Sequence, residues 1–262
     1  MRVVEVCFSP TGGTRRAADV VARALARELG TGTPVAHDLT GPSADASQVT
    51  LGAGDLVLLA VPSFAGRVPA VAAERLARLR GSGALAVLVC AYGNRAFEDT
   101  LVELQDLAEA AGLLPVAGIA AVTEHSIARR IAAGRPDGSD ERALASLSAR
   151  VAEKVAQLPE GVRPASPELP GSRPYKDARP TGPVPAPTEA CVRCGACARA
   201  CPVGVIDARG PALADAARCV SCMRCVSICP HDARRADAGE LAAIESRLAP
   251  LCSVRKEPEL FL

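Results

Sequence analysis

The sequence predicts an α/β protein: a doubly wound parallel sheet of five strands in the order 2-1-3-4-5, followed by a small α+β domain organised around cysteine. Three observations predict it. From residue 2 to about residue 158, short apolar runs alternate with amphipathic helical stretches, the pattern of βαβ units with right-handed crossovers. A loop rich in hydroxyls and glycine follows the first run and opens the first helix. Between residues 191 and 229, eight of the eleven cysteines fall into two copies of C-x2-C-x2-C-x3-C-P. At 262 residues the chain has room for more than one domain.

Arg2 to Phe8 is apolar and β-branched and stops at Ser9-Pro10, which reads as a buried strand. Ser9-Pro10-Thr11-Gly12-Gly13-Thr14 leads into a helix from about Thr14 to Leu29, ended by Gly30. Strand, hydroxyl-rich glycine loop and helix N-terminus make an anion site. The loop lacks the lysine and spacing of a Walker loop and is not G-x-G-x-x-G, so it suits a single terminal phosphate ester. Arg15 and Arg16 are expected in solvent. Val35–Leu39 is the second strand. Gly54–Val61, nearly all apolar, is the third, covered on both faces. It ends at Pro62-Ser63-Phe64-Ala65-Gly66, before a helix from about Pro69 to Arg80. Leu85–Cys90 is the fourth strand, ending at Tyr92-Gly93-Asn94, with a helix from about Ala96 to Ala111. Leu114–Val122 is the fifth, ending at Thr123-Glu124-His125-Ser126, and a last helix spans about Ser139 to Leu158. In an open sheet of this order the loops after strands one, three, four and five share one edge, where ligands bind.

Residues 159–187 contain nine prolines and no apolar periodicity, which reads as a semi-rigid linker. Arg173-Pro174-Tyr175-Lys176 within it reads as a solvated stretch, with docking of Tyr175 on a domain as the alternative. Residues 188–236 hold the doubled cysteine motif, a repeat of 28 residues from Cys191 to Cys219. Asp237–Leu251 reads as a short helix in a C-terminal tail (237–262), with Leu241, Ile244, Leu248 and Leu251 on one side.

The cysteine spacing follows the bacterial ferredoxin pattern, in which the fourth cysteine of each run serves the other run's cluster. By that rule Cys191, Cys194, Cys197 and Cys229 hold one [4Fe-4S] cluster. Cys219, Cys222, Cys225 and Cys201 hold the second. Structural zinc is the rival reading, but zinc sites favour C-x2-C pairs and would leave the third cysteine of each triplet over. This part resembles bacterial two-cluster ferredoxins. The first 158 residues resemble flavodoxins, through the Ser9–Thr14 loop, the Ser63–Gly66 loop and Tyr92-Gly93-Asn94. The whole chain resembles flavodoxin–ferredoxin fusion proteins, through P-S-F-A-G-R-V-P, Y-G-N-R-A-F, E-H-S-I, A-A-G-R-P-D, P-Y-K and the doubled motif. The resemblance implies a flavodoxin-like domain that binds FMN and a two-cluster ferredoxin domain. Ser9, Thr11, Gly12, Gly13 and Thr14 would hold the phosphate. Pro62, Ser63, Phe64, Ala65, Gly66, Tyr92, Gly93 and Asn94 would flank the ring. No tryptophan is present to sandwich it.

His125 ends a strand on the ligand edge, where it would hydrogen-bond the flavin and serve as the candidate catalytic proton source; the alternative is a loop cap. Arg135 and Asp137 would pair with each other or line the cleft. Cys7 and Cys90 read as buried thiols and Cys252 as a spare. A formal net charge of +1 and only six aromatic residues argue against nucleic-acid binding. No apolar run is long enough to span a bilayer, and metal-type cysteine usage implies a reducing, cytoplasmic setting. Clusters pass single electrons and FMN takes one or two. The leading expectation is therefore an electron-transfer protein with redox-protein partners. The alternative is a flavin-dependent reductase of a small molecule that uses the clusters as an internal relay.

Overall fold

The β-branched run at the N-terminus forms strand β1 (Arg2–Cys7), and the loop behind it turns into helix α1 (Gly13–Glu28). Strand β2 (Val35–Asp38), strand β3 (Asp55–Pro62), helix α2 (Ala70–Leu76), strand β4 (Leu85–Tyr92), helix α3 (Thr100–Ala110), strand β5 (Leu114–Val122) and helix α4 (Gly138–Ala156) follow. The computed structural model describes residues 1–159, 162–178, 182–210 and 214–262. All four strand pairs are parallel and the order is 2-1-3-4-5. Alternation along each strand sorts the core into two layers. Val4, Val57 and Leu88 pack with Leu76, Leu101 and Leu104 of α2 and α3; Val3, Leu58 and Val87 pack with Val21, Leu25 and Leu144 of α1 and α4. Burying each such Leu or Val stabilises by roughly 1.5–3 kcal/mol.

Two helices differ from the expected spans. The first, expected from Pro69 to Arg80, ends at Leu76, beyond which the Arg78 and Leu79 amides bond three residues back. The second starts at Thr100 because Glu98 is left-handed (φ 45°), which an α-helix does not pass through.

The proline-rich segment is not a free spacer. Residues 160–161 and 179–181 lie outside the described residues. The stretch between packs on α3: Leu169 is buried against Gly118, Pro167 accepts from Gln105, and the amides of Ser172 and Lys176 donate to Asp99 at 2.8 and 2.7 Å. Tyr175, expected in solvent, bonds Asp106 and lies under the Arg67 guanidinium, 4.6 Å from ring to cation. The reason is local. Asp99 and Asp106 on the α3 surface supply acceptors that the composition of the segment does not reveal.

In the cysteine-rich domain, strands β6 (Ala186–Pro187) and β7 (Arg234–Arg235) pair antiparallel around helices α5 (Ala196–Ala200) and α6 (Arg224–Ser227). The 28-residue repeat is also a repeat of backbone shape. Left-handed residues recur at Arg193 and Ser221, Gly195 and Met223, and Gly204 and Asp232. Helix α7 (Ala238–Leu248) comes next, and the chain returns to the first domain as strand β8 (Glu259–Phe261), antiparallel to β5. The sheet therefore has a sixth strand beyond the expected five, which covers the otherwise open β5 edge. Among the described residues no helix is long and apolar enough to cross a membrane.

Candidate functional site

The loops after β1, β3, β4 and β5 converge on one cavity of about 480 Å³. Thr11, Gly13, Thr14, Pro62, Ser63, Phe64, Ala65, Gly66, Tyr92, Gly93 and His125 all line it. The start of α1, entered through Gly12 in the left-handed region (φ 90°), brings Gly13 and Thr14 into the lining beside Thr11, where an α-helix leaves backbone amides unpaired. Phe64, Tyr92, Leu248 and Leu251 add apolar surface. Tyr92 meets Phe97 edge to face at 5.2 Å, and its hydroxyl is buried without a hydrogen-bond partner among the described residues. Burial pushes that phenol up to about 12.

Three expected flavin-site residues stand outside the lining. The Ser9 hydroxyl accepts the Arg15 amide and so completes the start of α1, while its own amide donates to Thr40. Gly12 supplies the turn. Asn94 points away: its amide nitrogen donates to the carbonyls of Cys252 (3.0 Å) and Val254 (2.9 Å), and its oxygen accepts the Lys256 amide (3.0 Å). Asn94 is thus the peg for the C-terminal segment, and its left-handed φ of 61° suits asparagine. Arg15, expected in solvent, turns inward, whereas Arg16 is exposed as expected. Arg15 pairs with the buried Glu5, whose burial raises its carboxyl to about 7, and Arg16 donates to the Arg135 carbonyl. Arg135 pairs with the buried Asp140 rather than with Asp137, and Asp137 caps α4 and meets Arg255 at 2.9 Å.

His125 packs on Gly93; a Cβ there would lie 2.5 Å from its ring carbon. Its Nδ1 accepts the amides of Ile127 (3.2 Å) and Ala128 (3.0 Å), which assigns the proton to Nε2. Burial lowers its basicity, so the ring is a neutral donor. His125 therefore caps its loop, one of its two expected readings, and also lines the cavity. Cys7 and Cys90 are buried in the sheet, where burial pushes both thiols up.

Sequence reasoning missed the remaining walls. Val220, Ser221 and Cys222 of the cysteine-rich domain line the cavity, as do Ile244, Arg247, Leu248 and Leu251 of α7 and the turn beyond it. The apolar side of this helix was legible; what it covers was not. Arg224 ties the two domains together, donating to the carbonyls of Ala200 (3.1 Å) and Pro10 (3.3 Å), and Arg75 donates to the Pro202 carbonyl (2.7 Å).

Two smaller cavities lie inside the cysteine-rich domain. One is lined by Cys201, Cys219, Cys222 and Cys225, the other by Cys191, Cys194, Cys197 and Cys229. Four soft thiol donors around each suit an iron–sulfur cube. The large cavity, which joins the start of α1 to Phe64, Tyr92, Leu248 and Leu251, suits FMN.

Residues 190–233 match the family model of the 4Fe-4S dicluster domain. No curated relative matches the chain. Among solved structures the chain is similar to the flavodoxin of Streptococcus pneumonia TIGR4, at 21% identity over 60% of this chain and 98% of that one, with a TM-score of 0.41. It is similar to Flavodoxin 1 from Bacillus cereus at 14% identity over 61% and 100%, TM-score 0.41. It is also similar to rubredoxin oxygen:oxidoreductase from Desulfovibrio gigas at 16% identity over 60% and 37%, TM-score 0.40. The strand order itself carries the fold assignment for the first domain. The chain is a fusion of a flavodoxin-like α/β domain with a 4Fe-4S dicluster domain.

Proposed function

We propose that this protein transfers electrons between two [4Fe-4S] clusters and FMN, with other redox proteins as donor or acceptor. One observation carries the reading. Val220 and Cys222 line both the large cavity and one of the four-cysteine cavities, so the two proposed centres share a wall. Cys201, Cys219, Cys222 and Cys225 would hold the cluster next to the flavin; Cys191, Cys194, Cys197 and Cys229 would hold the outer one, with Cys194 exposed. The clusters supply one-electron steps and the flavin a two-electron store.

The protein's own residues do the rest. The start of α1 with Thr11 and Thr14 receives the phosphate. Phe64 and Tyr92, with Leu248 and Leu251 in place of a tryptophan, exclude water from the ring. His125 offers its Nε2 proton at the cavity wall without carrying charge. Anaerobic purification followed by assay of iron, acid-labile sulfide and released flavin tests the reading. About eight irons, eight sulfides and one FMN per chain are expected; absence of flavin, with no binding of added FMN, would sink it.

The reductase alternative draws on Arg247. This residue lines the cavity, and its guanidinium would receive an anionic acceptor. Saturable turnover of a small anion, impaired by Arg247→Gln with flavin retained, would favour that reading over the carrier.

A further inference from the structure

Arg234 is buried, with 3% of its surface exposed, and it lines both four-cysteine cavities. Its Nη1 lies 4.0 Å from the Cys197 sulfur, at hydrogen-bonding range for sulfur, and it lines the cavity of the other set beside Cys225. The repeat shows what this position would otherwise hold. Arg234 lies five residues beyond Cys229, as Ile206 lies five beyond Cys201, and Ile206 is a buried member of the apolar cluster around Cys201. One half of the repeat thus fills the position with an aliphatic side chain, the other with a cation.

Burying a guanidinium costs several kcal/mol unless opposite charge compensates it. The two cavities it lines are those of the two sets of four cysteines. As cluster ligands these are thiolates, and each cube with its four thiolates carries about two negative charges, three after reduction. A cation between them is attracted more strongly to the reduced form of either.

We propose that Arg234 is a shared electrostatic ligand of both clusters, placed to raise their reduction potentials together and to lessen the repulsion between two reduced cubes. This rests on the two-cluster reading above. The step is one electron per cube from an external one-electron donor; one iron is formally reduced, and no proton or covalent bond changes hands.

The test is an anaerobic redox titration of the whole protein with dithionite, followed by EPR of the reduced cubes, for wild type, Arg234→Ile and Arg234→Lys. The isoleucine variant copies the protein's own repeat. It is expected to hold iron at the wild-type level while the reduction equilibrium of both cubes becomes at least tenfold less favourable, 59 mV for one electron. The lysine variant is expected to stay within a threefold change. If Arg234→Ile moves neither cube, or only one, the inference is overturned. If Arg234→Ile loses iron and Arg234→Lys keeps it, the charge is required for assembly and the inference stands. Loss of iron in both variants means that the side chain acts by packing, which overturns it. Failure of the wild type itself to hold iron and sulfide would instead overturn the two-cluster reading.

Discussion

Asn94 bears most directly on how the cavity is closed. It holds the segment after α7 by three hydrogen bonds of 2.9–3.0 Å, to Cys252, Val254 and Lys256. At a net of about 1 kcal/mol each they contribute about 3 kcal/mol against opening of the C-terminal segment. Asn94 also sits at φ 61°, where an alanine costs roughly a further 1–2 kcal/mol. Asn94→Ala should therefore weaken the closed segment by about 4–5 kcal/mol and Asn94→Gly by about 3, the difference isolating the backbone term. Since 1.4 kcal/mol is tenfold, the glycine variant should exchange the Lys256 and β8 amides about 100-fold faster by hydrogen–deuterium exchange. Because α7 walls the cavity, added FMN should also dissociate faster from both variants. If Ala and Gly behave alike and leave β8 protection as in the wild type, the closure argument is wrong.

Three further outcomes follow from the geometry. Gly93→Ala places a Cβ 2.5 Å from the His125 ring and 2.7 Å from the His125 Cβ; it should cost about 1–3 kcal/mol in denaturant unfolding, recovered only in part in the Gly93→Ala/His125→Ala double variant, which keeps the second contact. His125 is less basic folded than unfolded, so the unfolded chain binds more protons below its ordinary value of about 6.5. Stability should fall as pH drops through that region and stay level above it; His125→Asn, which keeps an acceptor for the two amides, should flatten the His125 part of this profile in pH-dependent melting. Asp99→Ala removes a carboxylate that accepts two backbone amides, worth about 3 kcal/mol together, and should speed limited proteolysis between residues 170 and 178 at least tenfold; an unchanged digestion rate would mean that this segment is held elsewhere.

What was legible in the sequence follows physical range. The strands β3, β4 and β5 were readable because each is a run of residues that needs burial on both faces, and Val57, Leu59, Val87 and Val89 are all fully buried, whereas the edge strand β2 is mostly exposed. The loop residues of the cavity were readable because the parallel order puts every strand's carboxyl end on one edge. The cysteine sets were readable because their spacing is local. Contacts across the chain were not. Nothing local marks Asn94 as the anchor of Val254 and Lys256, some 160 residues away, or the three-residue β8 as a strand. The left-handed backbone at Asn94 was the available signal: a Gly-Asn pair was read as presenting the asparagine to the ligand, whereas the turn aims it at the C-terminus. Tyr175 was misplaced for a related reason. Proline-rich composition argues for exposure, and the acceptors that capture the segment lie on a helix about 70 residues earlier.

The central claim is that the flavin and the inner cluster share one wall, Val220 and Cys222. Rapid mixing of the anaerobic, fully loaded protein with a low-potential one-electron donor, followed at the flavin absorbance over a tenfold range of protein concentration, tests it most directly. Cluster bleaching is expected first, then flavin reduction at a rate independent of protein concentration, as transfer within one chain requires. A flavin rate that rises in proportion to protein concentration, or a flavin reduced ahead of the clusters, would contradict it.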